Sequence, residues 1–466
     1  MTNTLPSPTT PKASARARES AVGQHHQKRS VLDIGMGLLT PLLGQEFLDR
    51  RGLREPLNKA LRVGVKHGFS AAGTSTRQFK KIQGLGKQPT RLEPSTADCF
   101  DLTPDDDQRM IVETVNQFAE EILRPAARDA DDAAAFPTEL IARAAELGIT
   151  AIKVPETFDG IAEQRTAVTN ALVAEALSYG DMGLALPILA PGGVASALTH
   201  WGSADQQATY LREFAGENVP QACLAIVEPH PLFDPTMLKT TAVRTPSGYR
   251  LDGVKSLVPA AADAELFVVA AQLNGKPALF IVEADTAGVT VKADRSMGIR
   301  AAAIGQVHLD KVSVPRSARL GEEGSDADYA QAYSEAIALS RLGWAALAVG
   351  TSHAVLDYVV PYIKEREAFG EPIARRQSVA FMCANIAIEL DGLRLITWRG
   401  ASRADQGLPF AREAALAKKL ATDKGMQIGL DGVQLLGGHG YTKEHPVERW
   451  YRDLRAIGVA EGVVVL

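Results

Sequence analysis

The chain reads as an α+β protein with segregated helices and strands, and three observations predict this. Apolar residues recur at helical spacing from about residue 102 to 220. Between about 221 and 318 they form short strand-like runs separated by turn residues. After Arg319 the helical spacing returns. Helices, then strands, then helices make separate layers and not an alternating βαβ fold. The 466 residues suit about three units of about 150 residues each. With 45% hydrophobic residues, each unit has enough apolar content for its own core.

The elements follow in order. Residues 1–29 are polar, rich in Ser, Thr and Pro, and without apolar period, which predicts a disordered tail. Residues 30–101 read as a basic helical extension and linker. Leu57, Leu61, Val65 and Phe69 share one helical face, with Lys59, Arg62 and Lys66 opposite, and 89–95 is the linker. An N-terminal helical domain is expected over 102–220. It opens on Thr103 as N-cap, Pro104 at the first helical position, and Asp105, Asp106 and Asp107 against the helix dipole. Ile111, Val115, Phe118 and Ile122 mark its buried face, and Pro125 is expected to end it.

A compact antiparallel β unit is expected over 221–318. Its runs are 248–253, 265–270, 278–283, 289–291 and 306–309, set between turn residues. Long helices are expected from Asp326 onward, within a third unit over 319–466.

Composition narrows the function classes. Cys99, Cys223 and Cys383 are far apart and make no CxxC pair, which suits a reducing compartment and argues against zinc. Nine histidines show no metal-ligand spacing. The apolar run 184–198 contains Pro187, Pro191, Gly192 and Gly193 and is too short for a bilayer. A cytoplasmic protein is therefore expected. Charge is uneven: residues 1–100 hold 16 Lys and Arg against 7 Asp and Glu, and the remainder 34 against 48. A basic head on an acidic body suggests an appended segment with its own partner; its helix reads first as a solvated surface helix packed on the body, and otherwise as one that meets a membrane surface or an anionic partner. No nucleic-acid motif accompanies it. The P-loop, the GxGxxG turn, HExxH and GxSxG are all missing, so any cofactor is held by other means.

The last third carries ordered motifs. Glu365-Arg366-Glu367-Ala368-Phe369-Gly370-Glu371-Pro372 leads to Gln377, and residues 431–442 read DGVQLLGGHGYT. Residues 446–453 then read PVERWYRD. These blocks resemble, in order, the ERxxFGxP loop, QxxGGxGY turn and PVERxxRD segment of the acyl-CoA dehydrogenase family. Met297-Gly298-Ile299-Arg300, Val312-Ser313-Val314-Pro315 and Leu320-Gly321-Glu322-Glu323-Gly324 extend the resemblance, which covers about 102–466.

The resemblance implies an N-terminal helical domain, a middle β-barrel and a C-terminal four-helix bundle. FAD would lie between barrel and bundle, partly held by a neighbouring subunit. The implied reaction is α,β-dehydrogenation of an acyl-CoA thioester to a trans-2-enoyl-CoA, with the β-hydride going to flavin N5. An electron-transfer flavoprotein is the implied acceptor, and a homodimer or homotetramer the implied assembly.

By the same resemblance Glu461 is the base for the α-proton, and its backbone N–H should contact the thioester oxygen. Arg341 is expected to support it, and Ser340 leaves no carboxylate at the family's alternative base position. Arg366 would bind the FAD pyrophosphate from the neighbouring subunit. Phe369 would lie against the cofactor, Gln377 and Gln434 would hydrogen-bond it, and Gly437 and Gly438 would let the backbone approach it.

Three departures stand out. Val227-Glu228-Pro229-His230-Pro231-Leu232-Phe233-Asp234 replaces TEPxAGSD, and Lys255-Ser256-Leu257-Val258-Pro259 lacks the flavin-facing Trp and its hydroxyl neighbour. After Glu461, residues 462–466 read GVVVL, without the Thr and Gln that relatives use on FAD. An alternative follows: a non-catalytic partner subunit in a hetero-oligomer, completing the FAD site of another chain.

Overall fold

The computed structural model describes residues 103–162, 166–321 and 325–466. The expected tail, basic helical extension and membrane-facing head lie outside the described residues.

Helix α1 spans Asp106–Phe118. Its cap is Asp105, two residues beyond the expected Thr103. The Asp105 carboxylate accepts the Gln108 N–H at 2.7 Å while the Gln108 side chain accepts the Asp105 N–H at 3.2 Å, a reciprocal pair that fixes the helix start there. Pro125 does not end the helix either. A π turn over Ala119–Leu123 runs directly into α2, Arg124–Ala133, and Pro125 takes an early position where its missing N–H costs little. Ala134 ends α2 in the left-handed region at φ 50°.

α3 (Glu139–Glu146), α4 (Ala167–Gly180), α5 (Met182–Trp201) and α6 (Ala204–Tyr210) complete the first layer. α5 is one unbroken helix of 20 residues despite its two prolines and paired glycines. By length and composition it could cross a membrane, but 94% of its apolar window is buried inside the protein. Tertiary packing on every side outweighs the local helix breakers.

The middle layer is one seven-stranded sheet with strand path β1-β4-β2-β3-β7-β6, and β5 added to β4. The strands are β1 Ala222–Ala225, β2 Thr241–Arg244, β3 Gly248–Val258, β4 Leu266–Leu273, β5 Lys276–Glu283, β6 Val289–Ala293 and β7 Gly305–Pro315. The path is open, giving a half-barrel form of the expected domain. It is mixed and not purely antiparallel, because β4 pairs in parallel with both β1 and β2. Those two four-residue strands carry little alternation, and β1 is buried throughout. β3 breaks register at Gly253, where a Cβ would meet the Thr240 hydroxyl oxygen at 2.5 Å.

The last layer is helical: α7 (Asp326–Glu365), α8 (Gln377–Asp405), α9 (Ala411–Leu420), α10 (Met426–Leu435) and α11 (Val447–Ala456). A π turn over Ala421–Gly425 joins α9 to α10, so the two act as one helix in a bundle with α7, α8 and α11. Arg449 and Arg452 of α11 reach Asp181 at 2.9 Å and Asp131 at 2.7 Å, and Asp453 accepts the Ile299 N–H at 2.5 Å. These contacts fasten α11 to the first layer and to the loop before β7. Residues 457–466 leave α11 without helix and run inward, where they place Glu461 against α7.

Candidate active site and cofactor cleft

Glu461 is 8% exposed. Arg341, from the middle of α7, donates its Nε to both carboxylate oxygens at 3.0 and 3.3 Å, and a terminal guanidinium nitrogen lies 3.0 Å from Oε1. The ion pair balances the charge of a carboxylate that is mostly buried. The neighbouring backbone is also held. Ser340 Oγ and Trp344 Nε1, one helical turn apart on α7, donate to the Gly462 carbonyl at 2.6 and 2.9 Å. The Lys418 ammonium donates to the Ala460 carbonyl and lies 5.8 Å from the Trp344 ring centroid. Burial lowers the Lys418 pKa to about 8, against the opposing pull of Glu461. Among the described residues the Glu461 backbone N–H has no acceptor. A buried carboxylate beside a spare backbone donor can accept a proton from a carbon while the N–H steadies an oxygen two bonds away.

A second group of the expected residues meets elsewhere. Arg366, Phe369, Gln434, Gly437 and Gly438 line one cavity of about 430 Å³, with Arg376 and His439 beside them. Arg366 ends α7. The two-residue strands β8 (Glu367–Ala368) and β9 (Glu371–Pro372) then form a hairpin whose tip is Phe369-Gly370, at φ 56° and 83°. A bulky residue in the left-handed region is costly, and the turn leaves Phe369 94% exposed with the Arg376 guanidinium 5.3 Å from its ring centroid. At Gly437, φ is 58°, and an added Cβ at Gly437 or Gly438 would meet nothing within 4 Å. The cavity therefore offers two cationic side chains and an open backbone turn, which fit the phosphates of a dinucleotide such as FAD. Gln377, the first residue of α8, is exposed and is not among the residues lining this cavity.

The segments expected around the flavin ring have their polar groups already occupied. Glu228 is 3% exposed and accepts the backbone N–H of Lys239 at 2.7 Å, that of Thr240 at 2.8 Å, and the Lys255 ammonium at 2.9 Å. Burial raises its pKa, but Lys255 and the two N–H groups outweigh this and hold it at about 2. The Ser256 hydroxyl donates to Asp294 at 2.5 Å, and the Thr236 hydroxyl to Asp234 at 2.7 Å. Pro259 has no N–H, and Leu232 stands 99% exposed at φ 54°. The cavity beside Arg366 thus fits the dinucleotide half of an FAD, and the segments expected around the flavin ring do not fit that ring.

Ser340, Trp344 and Lys418 hold the backbone on either side of Glu461 yet carry no signal of their own. Each is an ordinary helix residue whose role depends on a contact 42 to 122 residues away.

Family models of acyl-CoA dehydrogenases match three consecutive stretches: the N-terminal domain over 105–218, the middle domain over 223–312 and the C-terminal domain over 330–463. An acyl-CoA dehydrogenase of Bacillus subtilis (strain 168) is 31% identical over 363 residues, spanning 76% of this chain and 94% of that protein. The solved butyryl-CoA dehydrogenase of Megasphaera elsdenii superposes with a TM-score of 0.71 at 28% identity, over 77% of this chain and 95% of that one. A structure from work on the electron transferring flavoprotein of Acidaminococcus fermentans gives a TM-score of 0.71 at 29% identity, with the same coverage.

Proposed function

The chain belongs to the acyl-CoA dehydrogenase family, and from that premise we propose that it takes part in α,β-dehydrogenation of an acyl-CoA thioester with Glu461 as the base. One observation carries the reading: the buried Glu461 carboxylate, held on Arg341, lies at the position that matches the family's base. Arg341 engages both oxygens at rest, and each oxygen keeps a second lone pair that can take the α-proton. The spare Glu461 N–H would steady the thioester oxygen as the α-carbon becomes electron-rich. FAD, when bound, supplies the acceptor for the β-hydride. Arg366, Gln434 and the Gly437-Gly438 turn would hold its phosphates and adenosine end.

The altered flavin-ring segments favour a second reading. A chain with an intact dinucleotide cavity and an exposed Phe369, but no ring-side donors, suits a subunit that completes another chain's FAD site in a hetero-oligomer. In either version an electron-transfer flavoprotein is the proposed acceptor, and association with a second chain is proposed because the exposed cavity offers only one side of a cofactor site.

The visible spectrum tests this. A yellow protein that bleaches with an acyl-CoA, and a Glu461→Gln variant that keeps the colour without bleaching, support the first reading. A colourless chain that takes up no added FAD supports the second.

A further inference from the structure

Beyond Glu461 the chain runs as a buried strap. Val463, Val464, Val465 and Leu466 are each 3% exposed or less. They lie in a groove between α5 and α7 whose walls are cut away by glycine. A Cβ on Gly193 of α5 would fall 2.0 Å from the Val463 carbonyl oxygen, and one on Gly343 of α7 would fall 2.4 Å from that of Val464. Neither glycine has positive φ, so both serve to make room. At the far end Lys153 donates to the Val465 carbonyl at 2.5 Å, and its stem lies against Gly192 of α5. The remaining polar contacts are few: Val463 N–H to the Leu224 carbonyl at 3.3 Å, Val464 N–H to the Gly462 carbonyl at 2.9 Å, and Ser196 Oγ to the Val465 carbonyl at 3.4 Å.

We propose that Val463–Leu466 act as an internal plug that competes with the acyl chain of the substrate and sets its length. The inference rests on the reading of Glu461 as the base. A thioester whose α-carbon meets Glu461 must send its further carbons somewhere. The buried groove between α5 and α7 begins beside the Glu461–Arg341 contact, and these four apolar side chains fill it. An acyl group of a few carbons fits without disturbing it, whereas a longer one must expel the strap. Its apparent affinity is then reduced by the fraction of molecules with the strap out.

Titration calorimetry of the full chain with butyryl-CoA and decanoyl-CoA tests this, with hydrogen exchange over 457–466 read by mass spectrometry. Butyryl-CoA should bind with the strap amides protected. Decanoyl-CoA should bind more weakly and expose them. A V463G/V464G variant should improve decanoyl-CoA about ten-fold relative to butyryl-CoA. Decanoyl-CoA bound by the wild type with the strap amides still protected would overturn the plug, and this arm needs no variant to fold. If neither thioester binds, the reading of the base fails instead, and decanoic acid decides for the plug. Binding of the acid by the variant alone upholds it; binding by neither form, or by both alike, overturns it.

Discussion

Glu461 and Arg341 make the sharpest statement at the scale of single residues. Glu461→Gln preserves shape and one acceptor for Arg341, but its amide NH2 cannot accept as the second carboxylate oxygen does, and it cannot take a proton. It should lower turnover by about 10²- to 10⁴-fold with thioester affinity retained, as stopped-flow flavin reduction would show. Arg341→Ala leaves a buried carboxylate unpaired, and it should cost about 1–3 kcal/mol in urea unfolding, tempered because the Arg341 side chain is still 30% exposed. Glu228 gives a pH signature. Its folded pKa of about 2 lies below the ordinary 4.5, so its contribution to stability is present above pH 4.5 and is lost as pH falls through 2. The melting temperature of the wild type should therefore fall more steeply than that of Glu228→Gln across that window. The sequence marked Glu461 and Arg341 through ordered motifs, although they are 120 residues apart. It did not mark Lys153 or Lys418, because a buried lysine is recognised only by what surrounds it, and both are surrounded by residues distant in the chain.

Among the elements, α11 shows how a motif can be structural. The PVERxxRD block resembles a functional signature, yet Arg449 and Arg452 spend their guanidinium groups on Asp181 and Asp131. The side chains of Arg449 and Asp181 are 7% and 0% exposed. Arg449→Leu should therefore cost about 3–5 kcal/mol by leaving Asp181 buried and unpaired, measured by denaturant unfolding. Element types were readable where periodicity was strong, as in β3, β5 and α7. Boundaries failed where a π turn carried the chain past Pro125, and where Asp105 and not Thr103 took the N-cap position. β1 and β2 were missed because four residues are too few to display a period. α5 stays whole despite its prolines and paired glycines, because burial on all sides outweighs the local breakers.

At the scale of the whole molecule, two proposed half-sites lie on one chain. The proposed base is held by the middle of α7 and residues 457–466, and the proposed dinucleotide cavity by the C-terminal end of α7 with the turn after α10. That separation is what an assembly of chains would reconcile, one chain's cavity meeting another's base. Phe369→Asp places a charge on the exposed hairpin tip, so it should shift the sedimenting species to lower mass and release bound flavin. Arg366→Ala should weaken flavin binding by about 10- to 100-fold in equilibrium dialysis while leaving Glu461 in place.

The most direct measurement follows the flavin band of the purified protein on addition of butyryl-CoA, for the wild type and for Glu461→Gln side by side. The account predicts bleaching in the wild type and an unchanged band in the variant. Bleaching that survives in Glu461→Gln would place the base elsewhere and contradict it.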